Sequence, residues 1–154
     1  MSTQPQIADA SAPRIGRWVI STIPPGWTWT PGFGIHKPTG PVTSNICLKD
    51  DELLAGNQLD LYIRAQITLL NRTFQEPMIA GPAPFAFPNA AEAALLMVKH
   101  RSLQQASVFQ VQNYVRIDRW IGVVTLTTIE SELLKVRPDF DQFVQRLQIV
   151  APAG

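Results

Sequence analysis

The chain of 154 residues carries few side chains of the kinds that bind metals or act as nucleophiles. It has two histidines, His36 and His100, and a single cysteine, Cys47. No two of them show a metal-binding spacing such as His-x-x-x-His or Cys-x-x-Cys, and a single cysteine cannot form an intramolecular disulfide bond. Because isolated histidines and cysteines usually have structural roles, we expect the protein to bind no metal and no cofactor.

Motifs for nucleotide binding and for acid–base catalysis are equally incomplete. Gly32-Phe33-Gly34 resembles the start of a dinucleotide-binding loop, but the third glycine is missing and no helix is predicted to follow. Carboxylates that are close in sequence lie beside predicted loops or helix starts, where they are typical of solvated charge and helix capping. These carboxylates are Asp50, Asp51, Glu52, Glu130, Glu132, Asp139 and Asp141. The sequence therefore predicts a protein that is not an enzyme.

Composition and charge argue against nucleic-acid binding and membrane insertion. Only 16% of the residues are charged and the formal net charge is +1, whereas nucleic-acid-binding proteins normally present a basic surface. Trp27, Trp29 and Tyr114 could stack on bases, but no basic cluster accompanies them. Apolar stretches such as Ala90–Val98 are far too short to span a bilayer. Because the first residues do not resemble a signal peptide, we expect a cytoplasmic protein without a nucleic-acid partner and without stable membrane insertion.

Two amphipathic helices are predicted. The first, Asn57–Arg72, has Asn57 as its cap and Asp60 in its first turn, where a carboxylate favours the free amide groups. The second covers residues 138–148 and begins at Pro138, which suits a first helical turn. Apolar residues recur at helical spacing in both. They are Leu59, Ile63, Ile67 and Leu70 in the first helix and Phe140, Phe143, Val144 and Leu147 in the second.

The rest of the chain indicates a sheet between two loose ends. Residues 1–13 are predicted to be a disordered tail and residues 14–150 a single domain. Residues 31–41, with their glycines and prolines, predict a loop, and the proline-rich segment 77–88 predicts irregular structure or an edge strand. The link Asp118-Arg119 is too short for a crossover helix and predicts an antiparallel hairpin. The predicted strands are Arg17–Thr22, Val42–Lys49, Ala91–Arg101, Ser107–Ile117 and Trp120–Ile129. This order predicts an α+β fold in which a twisted antiparallel sheet carries two main helices.

The strand Ser107–Ile117 carries amide side chains on one face. Gln110 and Gln112 are two residues apart and therefore point the same way, together with Val108. The opposite face is apolar and can join the core, while the neighbouring strands are apolar on both faces. A structural interpretation is a sheet with an apolar exposed face. A functional interpretation is a half-apolar surface with a few amide groups that binds a hydrophobic segment of a partner.

Several short sequence patterns, in this order, resemble the DcrB-like family, whose fold is related to that of PsbP. The patterns correspond to a turn after the first strand, an amphipathic helix, the penultimate strand and the last strand before the C-terminal helix. They are Ile23-Pro24-Pro25-Gly26-Trp27, Leu59-x-x-Tyr62-x-x-x-Gln66-x-x-Leu69, Phe109-Gln110-Val111-Gln112 and Val123-Val124-Thr125-Leu126-Thr127. Together they extend over nearly all of residues 17–149.

The resemblance implies a PsbP-like fold and a role in binding another protein. Some family members are exported lipoproteins, whereas the cytoplasmic Eag proteins are dimeric chaperones of type VI secretion effectors. Eag proteins protect the hydrophobic N-terminal segments of those effectors before loading on the secretion spike. The chain shows neither a signal peptide nor a lipobox cysteine and so resembles the cytoplasmic branch, although its N-terminal tail and its segment 77–88 depart from the family pattern. We therefore expect a homodimer that binds and shields the hydrophobic N-terminal segment of a secreted effector.

We expect this client to bind on the sheet face and helix flank that carry Gln66, Gln110 and Gln112, because amide groups can bond to backbone positions that an apolar wall cannot satisfy. The apolar candidates for the same surface are Ile20, Ile46, Met97, Val108 and Val124. One alternative is a small-molecule-binding protein or enzyme with a pocket between sheet and helix, in which His100, Arg116 and a carboxylate would converge. Another is a regulator that binds a folded protein partner.

Overall fold

A computed structural model describes residues 12–54, 56, 58–88 and 90–150. The predicted tail lies outside these residues except for Ala12 and Pro13, and so do Asn57, the predicted helix cap, and residues 151–154.

The described part of the chain contains helices α1 (Leu59–Thr73) and α2 (Leu133–Gln145) and a 3-10 turn at Glu130–Glu132. The strands before α1 are β1 (Arg14–Ile15), β2 (Trp18–Ile20), β3 (Thr28–Thr30), β4 (Gly34–Thr39) and β5 (Val42–Glu52). The strands after α1 are β6 (Gln75–Pro84), β7 (Glu92–Arg101), β8 (Ser107–Ile117), β9 (Trp120–Ile129) and, after α2, β10 (Leu147–Ile149).

The strands form two antiparallel sheets. The large sheet has seven strands in the order β3-β4-β5-β9-β8-β7-β6, and the small one has the order β1-β2-β10. Strands β8 and β9 are joined by the turn Asp118-Arg119, which pairs Ile117 with Trp120 as the predicted hairpin requires. The proline-rich strand β6 lies at an edge, where its missing amide donors are tolerated. These features confirm the predicted α+β fold with an antiparallel sheet and two main helices.

Helix α2 and the small sheet cover one face of the large sheet, which we call the α2 face. Trp18 of β2 and Phe140 and Phe143 of α2 are buried against it. Val111 and Val115 of β8 point toward this face, as the alternation along that strand predicted. Next to the pair of strands β2 and β10, the amide of Val150 donates a hydrogen bond to the carbonyl of Arg17. The α2 face therefore holds the larger core of the domain.

Helix α1 packs on the opposite face, which we call the α1 face. Leu59 and Ile63 are buried there against Leu96 and Val98 of β7 and other strand residues. Just past the end of α1, the ring of Phe74 stacks on His100 of β7 with the centroids 3.8 Å apart. The start of α1 is held near the other end of β7, since the Leu59 amide donates to Glu92 at 3.4 Å. The helix thus lies along the β7 side of the sheet.

The prediction of a loop over residues 31–41 is wrong, because β4 occupies Gly34–Thr39 and pairs with β5. Ile35 is fully buried in the α2-face core, and that burial favours a strand despite the unfavourable local sequence. Gly34 has a φ of 146°, and a Cβ there would lie 2.0 Å from the carbonyl oxygen of Ile46. Only glycine fits this crossing of β4 and β5.

The second helix differs from its prediction at both ends. It begins at Leu133, so that Pro138 lies inside it, and the additional turn buries Val136. It ends at Gln145, and Leu147 belongs to β10, which pairs with β2. Leu147 is buried as its helical spacing predicted, but from a strand.

Candidate functional site

The α1 face is only partly covered by its helix, and the strands β8, β9 and β5 beside the helix present a block of uncharged side chains. Gln110 and Gln112 pair with Val98 and Leu96 of β7, and this register places them on the α1 face. The block consists of Val108, Gln110 and Gln112 of β8, Thr125, Thr127 and Ile129 of β9, and Asn45 and Cys47 of β5. Except for Gln112, which is buried, all of these residues are partly exposed. We call this block the groove floor.

The register of the strands arranges the groove floor in rows across the sheet. Thr127 pairs with Gln110 on one side and with Asn45 on the other. Thr125 pairs in the same way with Gln112 and Cys47. Three strands span about 10 Å across and three rows span about 13 Å along the strands. An α-helix with its side chains is about 10–12 Å wide, so the floor has the width of one helix.

One flank of α1 forms a wall beside the groove floor. Tyr62 touches Tyr114 of β8 with ring centroids 6.1 Å apart and donates a 2.8 Å hydrogen bond to Asp51 of β5. This flank of the helix therefore faces β8, β9 and β5. Gln66 and Leu69, four and seven residues further on, share the flank of Tyr62. Leu69 is 54% exposed and so offers apolar surface along the wall.

A ladder of hydrogen bonds runs along β8 from the covered part of the α1 face into the groove. The hydroxyl of Tyr114 donates to Oε1 of Gln112 at 2.5 Å, and Nε2 of Gln112 donates to Oε1 of Gln110 at 2.7 Å. Tyr114 is 2% exposed and Gln112 is 7% exposed, whereas Gln110 is partly exposed. The side-chain amides of Gln112 and Gln110 are thus held in place by a buried tyrosine.

Burial favours the uncharged forms of Tyr62, Tyr114 and Cys47. Desolvation raises the pKa of the Tyr114 hydroxyl, and it also raises the pKa of Tyr62, whose hydrogen bond to Asp51 acts in the same direction. Desolvation raises the pKa of the Cys47 thiol as well, and the nearby charge of Lys49 opposes this shift. At neutral pH the floor therefore presents neutral polar groups and methyl groups.

The structure brings together four of the residues predicted for the client surface. Val108, Gln110 and Gln112 lie on the groove floor, and Gln66 lies on the adjacent helix flank. The floor also contains Thr125, Thr127, Asn45 and Cys47, which the sequence analysis did not select. The position of the threonines could have been predicted from the two-residue turn of the β8–β9 hairpin. Pairing Ile117 with Trp120 across that turn sets Thr125 opposite Gln112.

The remaining predicted residues lie on the other side of the sheet. The prediction is wrong for Ile20, Ile46 and Val124, which are 2%, 0% and 0% exposed within the α2-face core. Met97 also belongs to the α2 face, where it packs against the core and approaches Arg137 with Nη1 and Sδ 4.0 Å apart. The reason is strand alternation: Val124 pairs with Asn113, one residue out of phase with Gln112.

The residues considered for catalysis do not converge. Arg116 forms an ion pair with Glu92 at 3.1 Å, whereas His100 pairs with Val108 at the other end of β7 and β8. Eight residues of strand separate the two positions by about 26 Å. Among the residues that the structure describes, no group of three or more His, Cys, Asp or Glu side chains could hold a metal ion.

Within the described ranges, neither helix has the length and apolar character needed to cross a membrane.

Comparison with known proteins identifies the fold. No protein-family model matches the chain, and no curated protein matches it significantly. LpqN of Mycobacterium tuberculosis, involved in cell envelope biogenesis, matches with a TM-score of 0.69 and 12% identity over 84% of this chain and 82% of its own. PA94 of Pseudomonas aeruginosa, a protein of unknown function described as a candidate regulator, matches with a TM-score of 0.63 and 16% identity. The match covers 75% of this chain and 78% of PA94. Cyanobacterial PsbP from Synechocystis matches with a TM-score of 0.55 and 11% identity over 87% of each chain. The protein has a PsbP-like fold, as the resemblance implied.

Proposed function

We propose that the protein is a chaperone that binds and shields a hydrophobic helical segment of a partner protein in the groove formed by the flank of α1 and the strands β8, β9 and β5. The observation that carries the proposal is the uncharged groove floor, one helix wide, beside a helix flank with Gln66 and an exposed Leu69. The resemblance to Eag proteins suggests the partner, which is the hydrophobic N-terminal segment of a type VI secretion effector.

The chemistry of the floor suits such an occupant. An apolar helix in water is unfavourable by about 25 cal/mol per Å² of exposed apolar surface, and the methyl groups of valine, isoleucine and threonine remove part of that surface from water. An apolar client would leave no charged floor side chain desolvated, because none is charged. The amide of Gln110 can form a hydrogen bond with a polar position of the client, and this bond favours one defined position of the client over non-specific hydrophobic contact.

We place the chaperone in the cytoplasm and propose that it is a homodimer, as the Eag resemblance implies. The low content of charged residues, 16%, leaves neutral surface for such an interface. Light scattering of the purified full chain at increasing concentration should give twice the mass of one chain. A monomer at high concentration would contradict the dimer without affecting the groove.

The function is tested by placing a charge on the groove floor. Val108→Asp and Gln110→Glu are co-expressed with the tagged N-terminal segment of a type VI effector from the same genome. Both variants should lose the client, because an apolar occupant cannot solvate the carboxylate, and both should keep the wild-type circular dichroism. Gln110→Glu retains the oxygen that accepts from Gln112, so the loss would reflect charge.

A matched control places the same charge elsewhere. Leu134 of α2 is 87% exposed and lies outside the groove, so Leu134→Asp should capture the client as the wild type does. Capture by folded Val108→Asp and Gln110→Glu would refute the groove as the binding site.

A further inference from the structure

We propose that Tyr114 fixes the direction of the hydrogen bonds along the groove floor, so that the groove selects client segments that present a hydrogen-bond acceptor to Gln110. The inference rests on the proposed function and adds the class of group that the groove recognises. It is carried by the ladder in which Tyr114 donates to Gln112 and Gln112 donates to Gln110.

The buried end of the ladder determines its direction. The Tyr114 hydroxyl needs an acceptor because the side chain is 2% exposed and water cannot replace one. Oε1 of Gln112 is the acceptor in the structure, at 2.5 Å. Rotating the Gln112 amide by 180° would turn its NH₂ group toward Tyr114 and leave the buried hydroxyl proton without this partner, which is unfavourable. Since burial raises the pKa of Tyr114, the hydroxyl keeps its proton and remains a donor.

The direction set by Tyr114 reaches the exposed end of the ladder. With its oxygen facing Tyr114, Gln112 directs Nε2 to Oε1 of Gln110 at 2.7 Å. The oxygen of Gln110 is therefore occupied and its NH₂ group is the end that a client meets. Within residues 12–54, 58–88 and 90–150 we find no acceptor bonded to that nitrogen.

A donor at this position selects the chemistry of the client. In an apolar helix the available acceptors are backbone carbonyls bared by glycine or alanine and the side-chain oxygens of serine, threonine or asparagine. A client position that offers only a donor gains nothing from the NH₂ group. The groove should therefore distinguish two apolar segments that differ by one acceptor atom.

Synthetic helical peptides rich in leucine and alanine, with lysines at both ends, provide the probe. The first pair differs at the central position by methionine or methionine sulfoxide, which adds one acceptor oxygen. The second pair differs by tryptophan or benzothienylalanine, which removes one donor. Fluorescence titration of the full chain should show the sulfoxide peptide binding about fivefold to tenfold more tightly than the methionine peptide, as expected for one hydrogen bond, with no preference for tryptophan over benzothienylalanine.

The variant Tyr114→Phe removes the hydroxyl that sets the direction of the hydrogen bonds. The ratio of the affinities for the sulfoxide and methionine peptides should therefore fall toward one. Tyr62→Phe is the matched control, because it removes a neighbouring hydroxyl that bonds to Asp51 and not to the ladder. It should keep the preference. In the free protein, the NMR signals of the Gln110 side-chain amide should shift in Tyr114→Phe and stay in place in Tyr62→Phe.

The outcomes separate the two proposals. Binding of all peptides with equal affinity, or an unchanged preference in Tyr114→Phe, would overturn the role of Tyr114 and leave the proposed function standing. Binding of none of the peptides, together with the expected NMR shifts, would instead refute the groove as a client site and so overturn the acceptor selectivity with it.

Discussion

The indole nitrogen of Trp27 donates a 2.9 Å hydrogen bond to a carboxylate oxygen of Asp139. This bond joins the segment after the Pro-Pro-Gly turn to the middle of α2. Trp27 is otherwise buried in the α2-face core, where an indole N–H without a partner would be unfavourable. Lys37 lies 4.0 Å from the same carboxylate oxygen of Asp139 and adds a favourable charge.

Replacing Asp139 with alanine should lower the free energy of unfolding by about 1–2 kcal/mol, because the buried indole loses a charged acceptor. Urea denaturation followed by circular dichroism measures the change. Asp141→Ala provides the comparison, since Asp141 is two residues away on the same helix and accepts a hydrogen bond from Arg137 at the surface. Its loss should cost no more than about 0.5 kcal/mol. Equal losses for the two variants would contradict the structural role of Asp139.

The paired strands that carry the groove floor could be predicted from the sequence. The bounds Ser107–Ile117 and Trp120–Ile129 are observed as predicted, because both runs are rich in β-branched residues and the two-residue link permits only a hairpin. The alternation along β8 also predicted that Val111 and Val115 face the α2-face core. Gln110 and Gln112 are therefore placed correctly relative to Val111 and Val115.

Strand phase could not be predicted where apolar residues occupy both faces. Val123 and Val124 are both buried, one on each face of the sheet, because Val123 belongs to the core with α1 and Val124 to the core with α2. The residue type gives no indication of direction in such a run. Val124 was therefore assigned to the wrong face, and so was Ile46, which pairs with Leu126.

Elements whose stability depends on distant partners were missed for a different reason. Strand β4 and the short strand β10 have local sequences that favour a loop and a helix, respectively. Each becomes a strand by pairing with a neighbour, β4 with β5 and β10 with β2. Such long-range pairing overrides local propensity and leaves no periodic pattern in a three-residue strand.

Gly122 of β9 should tolerate no side chain. A Cβ at this position would lie 2.3 Å from atoms of both Trp18 and Trp120. Trp18 is fully buried and packs against Trp120 with ring centroids 5.2 Å apart, so it has no room to move while Trp120 is present. We expect Gly122→Ala to lower the free energy of unfolding by about 1–3 kcal/mol, as overpacking does. Urea denaturation of Gly122→Ala, Trp120→Leu and the double variant measures the coupling. The double variant should be more stable than the sum of the single changes predicts, and simple additivity would argue against the clash.

Tyr114 should make the protein less stable at alkaline pH. Burial raises its pKa in the folded state above the value of about 10 in an unfolded chain. The contribution of the Tyr114 hydroxyl to the free energy of unfolding is therefore complete below pH 10. It is lost as the pH rises above 10, because the unfolded state releases the proton first. The free energy of unfolding of the wild type minus that of Tyr114→Phe should fall by up to about 1.4 kcal/mol per pH unit above pH 10. Urea denaturation between pH 9 and pH 11 tests this, and a constant difference would show that the hydroxyl is solvated.

Cys47 should report occupancy of the groove through its rate of alkylation. The thiol lies on the floor in the row of Gln112 and Thr125 and is partly exposed. Burial raises its pKa, so at pH 8 the folded protein should react with N-ethylmaleimide more slowly than the urea-unfolded chain. The difference should narrow as the pH rises above the unfolded thiol pKa of about 8.5, because the folded thiol then continues to ionise.

A bound client should slow the alkylation of Cys47 further, because a helix on the floor excludes the reagent. At 90% occupancy only about a tenth of the protein molecules have an accessible thiol, so the rate should fall by about tenfold or more. The rate is followed by mass spectrometry of the intact chain with and without a saturating apolar peptide. A cysteine introduced by Leu134→Cys, with Cys47 replaced by serine, provides the control, because position 134 is exposed on α2 outside the groove. It should react equally fast in both conditions. If the peptide binds and Cys47 reacts at an unchanged rate, the client lies elsewhere on the molecule.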